Sequence, residues 1–70
     1  MIGRIKWFDD HKGYGFIDYN ETEDIFVHYS NILQDGHKTL VQDQLVKFQL
    51  IETAKGLQAL NIIVIEDIEH

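Results

Sequence analysis

The run "KGYGFIDYNETEDIFVHYS", Lys12 to Ser30, decides how this chain folds. It holds two short β-prone stretches, Gly13 to Tyr19 and Ile25 to Tyr29, on either side of the polar turn "NETED" (Asn20 to Asp24). That is the pattern of a hairpin with a longer loop. Side chains alternate faces along a strand. Tyr14 and Phe16 therefore share one face of the first stretch, and Gly13, Gly15 and Ile17 the other. Phe26 and His28 share one face of the second, and Ile25 and Val27 the other. The branched aliphatics Ile17, Ile25 and Val27 are natural core. If the stretches pair, Tyr14, Phe16, Phe26 and His28 form one patch turned to water. For any single ring in so small a chain, burial is the better default. Burying all four, however, expels three aliphatics and takes His28 inside without an evident partner. Several rings exposed on one face mark a binding site.

Reading outward, the remaining segments are also strands. "IGRIKWF" (Ile2 to Phe8) is β-prone. "LVKFQLIE" (Leu45 to Glu52) alternates Val46, Phe48 and Leu50 against Lys47 and Gln49, a half-buried strand that places Phe48 in the core. "LQALNIIVIE" (Leu57 to Glu66) is a fifth strand. Its run Leu60 to Ile65 lacks clean alternation and is expected to be buried, with Glu66, Asp67 and Glu69 as solubilising gatekeepers. "SNILQDG" (Ser30 to Gly36) is too short for a stable α-helix and predicts one 3₁₀-like turn. Five short strands without a useful amphipathic helix predict an all-β domain. A closed or nearly closed five-stranded barrel removes most unpaired edges. Residues 1–66 form that domain, and residues 67–70 a short acidic tail.

Twelve acids against six bases give a net charge of −6, unlike a typical nucleic-acid binder. The charge is segregated. Acids gather at Asp18, Glu21, Glu23 and Asp24 and in the tail, whereas Lys6 and Lys12 adjoin the aromatic stretches and Lys38 and Lys55 lie in glycine-containing loops. Arg4 and Lys47 read as solvated, and Tyr19 as structural at a strand end. Rings beside cations suit bases that stack and phosphates that need neutralising. Base–aromatic stacking contributes ~1–3 kcal/mol per base, and physiological salt screens long-range repulsion. A duplex keeps its bases stacked on each other, so the expected ligand is single-stranded. The acidity favours a second possibility, a protein-interaction domain that docks a partner on the same patch.

Other classes find little support. The chain has no cysteine and no apolar run of membrane-spanning length, and its first ten residues, "MIGRIKWFDD", carry four charges unlike a signal-peptide core. The expectation is a soluble cytoplasmic domain with no membrane partner, monomeric, with a dimer left open. His28, Ser30 and Asp24 do not make a catalytic triad: His28 and Ser30 are strand neighbours and no nucleophile elbow is visible. No enzyme, small-molecule substrate or cofactor is expected. His11, His28, His37 and His70 show no metal-ligand spacing, so no metal is expected either.

"KGYGFIDY" also fits the RNA-binding signature K/R-G-F/Y-G/A-F-V-x-F/Y, with Ile17 the one departure. With "GRIKWFDDHKGYGFI", "DIFVHYSNI", "GHKTL" and "GLQALNI" in that order, the chain from Ile2 to about Val64 resembles bacterial cold shock proteins, the cold-shock domain family. The resemblance implies a five-stranded antiparallel OB-type β-barrel that binds single-stranded RNA and DNA through surface aromatics and acts as an RNA chaperone. It implies a stacking platform of Trp7, Tyr14, Phe16, Phe26, His28 and Tyr29, with Phe8 alongside. Lys6 and Lys12 would meet phosphate or base edges, Asp24 would hydrogen-bond a base, and Lys55 is the basic residue of the last loop. His37 stands where the family commonly has Phe, a smaller ring that still stacks. Asp9 stands for a usual Asn and Leu57 for a frequent Pro. Trp7 divides the two lines of reasoning. Alternation with the core residue Ile5 turns it inward; the resemblance turns it outward and requires a bulge or strong twist. Phe8 is balanced between core and surface.

Overall fold

In a computed structural model, which describes residues 1–34, 36 and 38–66, the five predicted strands close into one barrel. They are β1 (Ile2–Asp9), β2 (Tyr14–Asp18), β3 (Asp24–His28), β4 (Leu45–Thr53) and β5 (Gly56–Glu66). A single 3₁₀ turn, Tyr29–Asn31, follows β3 where one was expected. Tyr29 thus opens that turn rather than ending the strand. The strand order around the barrel is β1-β2-β3-β5-β4. Neighbours are antiparallel except at the closing seam, where β3 and β5 run parallel with Phe26 opposite Gln58.

The core follows the aliphatic phase. Ile5, Ile17, Ile25, Val27, Val46, Phe48, Ala59 and Ile62 are buried, joined by Ile32 and Leu40 from the connecting segment. Tyr14, Phe16, Phe26 and His28 are half-buried on the other face. Tyr19 lies just beyond β2 and is exposed. Arg4 is not merely solvated: its guanidinium donates to the Asp43 carbonyl at 2.9 Å, while Lys47 is exposed.

Two strands break strict alternation. On β1, Ile5 faces Ile17 while Trp7 faces Phe16, so β1 advances two residues for one on β2. Lys6 is the extra residue, and an odd insertion exchanges the faces of everything beyond it. Trp7 therefore joins Phe16 outside and is 39% exposed. Alternation alone predicted the reverse.

On β5 the expectation of a buried run is overturned. The register to β4 shifts between Lys47 and Gln49 and again between Leu45 and Val46. Asn61 takes a left-handed conformation, φ 52, at the first irregularity, a backbone region that Asn tolerates better than most residues. Ala59 and Ile62 point inward, whereas Ile63 and Ile65 are 43% and 46% exposed. The gatekeepers Asp67 and Glu69, and the whole 67–70 tail, lie outside the described residues.

Candidate nucleic-acid interface

The hairpin register brings the rings together. Tyr14 faces His28, and Phe16 faces Phe26, across β2 and β3. Trp7 from β1 meets Phe16 at 5.4 Å and Tyr14 at 5.6 Å between ring centroids, both edge-on. Phe26 meets Phe16 edge-on at 5.8 Å and lies stacked on Tyr14 at 5.9 Å. Such pairs favour edge-to-face or offset geometry and hold one another in place. Beyond them, His28 and Tyr29 form a second pair with centroids 4.6 Å apart. The result is a strip of six rings with polar edges, half open to water.

Two glycines make the strip possible. A Cβ on Gly15 would meet the Trp7 carbonyl and lie 2.7 Å from the Phe8 Cα. Only glycine lets β1 and β2 approach so closely behind the rings. Gly13, at φ 75, accommodates the Tyr29 ring, which a Cβ there would strike at 2.6 Å. The Tyr29 amide also donates to the Gly13 carbonyl at 2.8 Å, tying the second ring pair to the β1–β2 turn. That turn is held by Asp9, whose carboxylate accepts from the His11 and Lys12 amides at 2.9 and 3.0 Å. The acidic residue at position 9 thus has a structural use.

Charged groups border two clefts. One, of about 470 Å³, is lined by Asp10, His11, Lys12, Gly13, Tyr29, Gly36 and Lys38. The other, of about 390 Å³, is lined by Phe16, Asp24 and Phe26 from β2 and β3 and by Thr53, Lys55, Leu57 and Gln58 from the end of β4, the turn after it and β5. Lys6 reaches across β2 to Asp24, Nζ to carboxylate 3.0 Å. This pair offsets the repulsion of Asp24 with Asp18, its register partner. Among the described residues, no three His, Cys, Asp or Glu side chains are placed to hold a metal ion, and no helix is long and apolar enough to cross a membrane.

A family profile described as the "'Cold-shock' DNA-binding domain" matches residues 1–65. The chain belongs to the cold-shock domain family. The family is one of nucleic-acid-binding domains. This cold-shock domain is 48% identical over 63 residues to the cold shock-like protein CspC of Bacillus cereus, covering 90% of this chain and 97% of that one. It is 50% identical over 66 residues to a cold shock-like protein of Thermotoga maritima, covering 94% and 100%. It is 46% identical over 61 residues to the cold shock protein CspA of Staphylococcus aureus, covering 87% and 92%. Among solved structures, drosophila Unr CSD456 shares the fold with a TM-score of 0.72 at 23% identity, over 91% of this chain and 26% of that chain.

Of the residues singled out from sequence, the cold-shock domain gathers Trp7, Tyr14, Phe16, Phe26, His28 and Tyr29 on one face. It places Lys12 at one cleft and Lys55 and Asp24 at the other. Phe8 stands apart: it faces Gly15 and is half-buried against the core. Lys6 is engaged by Asp24. His37 lies outside the described residues. Sequence reasoning missed Lys38, Leu57 and Gln58 as lining residues. Their places within "GHKTL" and "GLQALNI" were the available signal.

Proposed function

We propose that this cold-shock domain binds single-stranded RNA and DNA and acts as an RNA chaperone, with no catalytic step. The observation that carries the reading is the strip Trp7, Tyr14, Phe16, Phe26, His28 and Tyr29, open to solvent over a core built from the opposite strand faces. Unpaired bases stack on these rings at ~1–3 kcal/mol each. Lys12, Lys38 and Lys55 meet the backbone at the two clefts, and Asp24 accepts from a base edge while Lys6 balances its charge. Phe8, packed against the core, lies alongside the strip rather than within it. Chaperoning needs no further machinery: binding the unpaired strand shifts the RNA folding equilibrium by mass action. The unit is residues 1–66, acting as a cytoplasmic monomer.

Trp7 is the one tryptophan in the chain and sits within the strip. Its fluorescence is expected to quench on titration with a pyrimidine-rich single strand and to remain unchanged with the matching duplex. Equal quenching by both, or by neither, refutes the reading. The net charge of −6 keeps protein docking as the competing use of this face; absence of nucleic-acid binding together with partner capture blocked by Phe26→Ala would favour it.

A further inference from the structure

His28 closes β3, and its ring meets the first residues of the following turn. The backbone amide of Ser30 points at Nδ1 of His28 at 3.3 Å. The Ser30 hydroxyl lies 2.8 Å from the same nitrogen. A backbone amide can only donate, so Nδ1 carries the lone pair. The hydroxyl then donates to it as well. In the neutral ring the proton then resides on Nε2.

We infer that Ser30 is a positioning residue for the proposed single-strand site. It fixes the His28 tautomer so that the ring offers one N–H donor, at Nε2, beside its stacking surface. This rests on the binding function proposed above. The consequence is chemical. A stacking ring alone accepts any base in any rotation. A ring with a fixed donor favours a base edge carrying an acceptor, such as a pyrimidine carbonyl or an unprotonated ring nitrogen. The same contacts act on Tyr29. Its ring lies 4.6 Å from His28, and it begins the 3₁₀ turn that the His28 side chain caps through Ser30. Ser30 thereby holds two stacking rings in register without touching the ligand through its own side chain.

The test is a double-mutant cycle read with a short oligouridylate, together with NMR of the His28 ring nitrogens. The wild-type ring is expected to show the proton on Nε2, and Ser30→Ala, which keeps the long amide contact but loses the shorter hydroxyl one, a measurably smaller share of that tautomer. Ser30→Ala is expected to weaken oligouridylate binding about fivefold, the equivalent of one neutral hydrogen bond. Ser30→Thr is expected to restore it. In a His28→Phe background, which keeps a stacking ring but has no donor, Ser30→Ala is expected to change nothing. Three results overturn the inference: a proton on Nδ1 in the wild type, an unchanged affinity in Ser30→Ala, or an equal loss in the His28→Phe background. The wild-type spectrum decides the tautomer even if a variant fails to fold. If the wild type itself does not bind oligouridylate, the functional reading fails and this inference with it; wild-type binding without a Ser30 effect sinks the inference alone.

Discussion

Ile25 and Phe26 are adjacent on β3 and differ in the face they occupy, so truncating each separates folding from binding. Ile25 is fully buried. Ile25→Ala removes core carbons and leaves a cavity, at about 2–5 kcal/mol. A domain of 70 residues has a total stability of only about 4–10 kcal/mol, at roughly 0.05–0.15 kcal/mol per residue. That substitution alone consumes much of it. Phe26 is half-buried and meets Tyr14 at 5.9 Å and Phe16 at 5.8 Å. Losing two aromatic pairs at about 0.5–1.5 kcal/mol each leaves Phe26→Ala folded but weakened. Its binding loss is separate. One stacked base at ~1–3 kcal/mol corresponds to about 5- to 150-fold in Kd. Urea unfolding followed by circular dichroism gives the folded fraction, and calorimetric titration with a pyrimidine-rich single strand gives affinity per folded molecule. Ile25→Ala is expected to lower the folded fraction with near-native affinity in what remains, and Phe26→Ala the opposite. Should folded Phe26→Ala bind within twofold of wild type, the ring does not stack on a base and the assignment of the face is wrong.

Gly15→Ala drives a Cβ against backbone atoms of Trp7 and Phe8 rather than against yielding side-chain tips. The overpacking of about 1–3 kcal/mol outweighs the ~0.5–1 kcal/mol that Ala gains over Gly in a strand. Thermal unfolding should therefore shift down by several degrees; a higher midpoint would contradict the close approach. Asn61→Ala should lower the unfolding free energy from urea titration by about 1–2 kcal/mol because of its left-handed backbone, whereas Asn61→Gly should be tolerated. Lys12→Ala and Lys38→Ala should each move the slope of log K against log salt toward zero by about 0.7. An unchanged slope would place these lysines away from the phosphates.

The hairpin was legible because its two strands contain no irregularity: five consecutive residue pairs, from Tyr14 with His28 to Asp18 with Asp24, run in register. Alternation then reads directly as inside and outside. It failed where one strand carries an extra residue. Nothing in the local pattern of "RIKWF" marks Lys6 as a bulge, and family likeness rather than periodicity turned Trp7 outward. On β5, two register shifts convert "LNIIVI" into a strand with Ile62 inside and Ile63 and Ile65 exposed. A run of apolar residues gives no hint of which positions slip. The cleft lined by Thr53, Lys55 and Gln58 was equally hidden. It needs the β4–β5 turn to fold back beside β3, a contact between segments far apart in the chain.

The barrel's closing seam has a mechanical meaning. β1, β2 and β3 make one three-stranded ribbon and β4 with β5 a long hairpin. They are joined on one side by Ile2 to Arg4 against Leu45 to Lys47, and on the other by the Phe26–Gln58 pair with the Ile32–Ile62 bridge nearby. Phe26 and Gln58, partners across that seam, both line the same cleft. A strand lying there works as a suture: it grips both halves where they are most thinly stitched, so occupancy should slow amide exchange along that joint more than anywhere else in the domain.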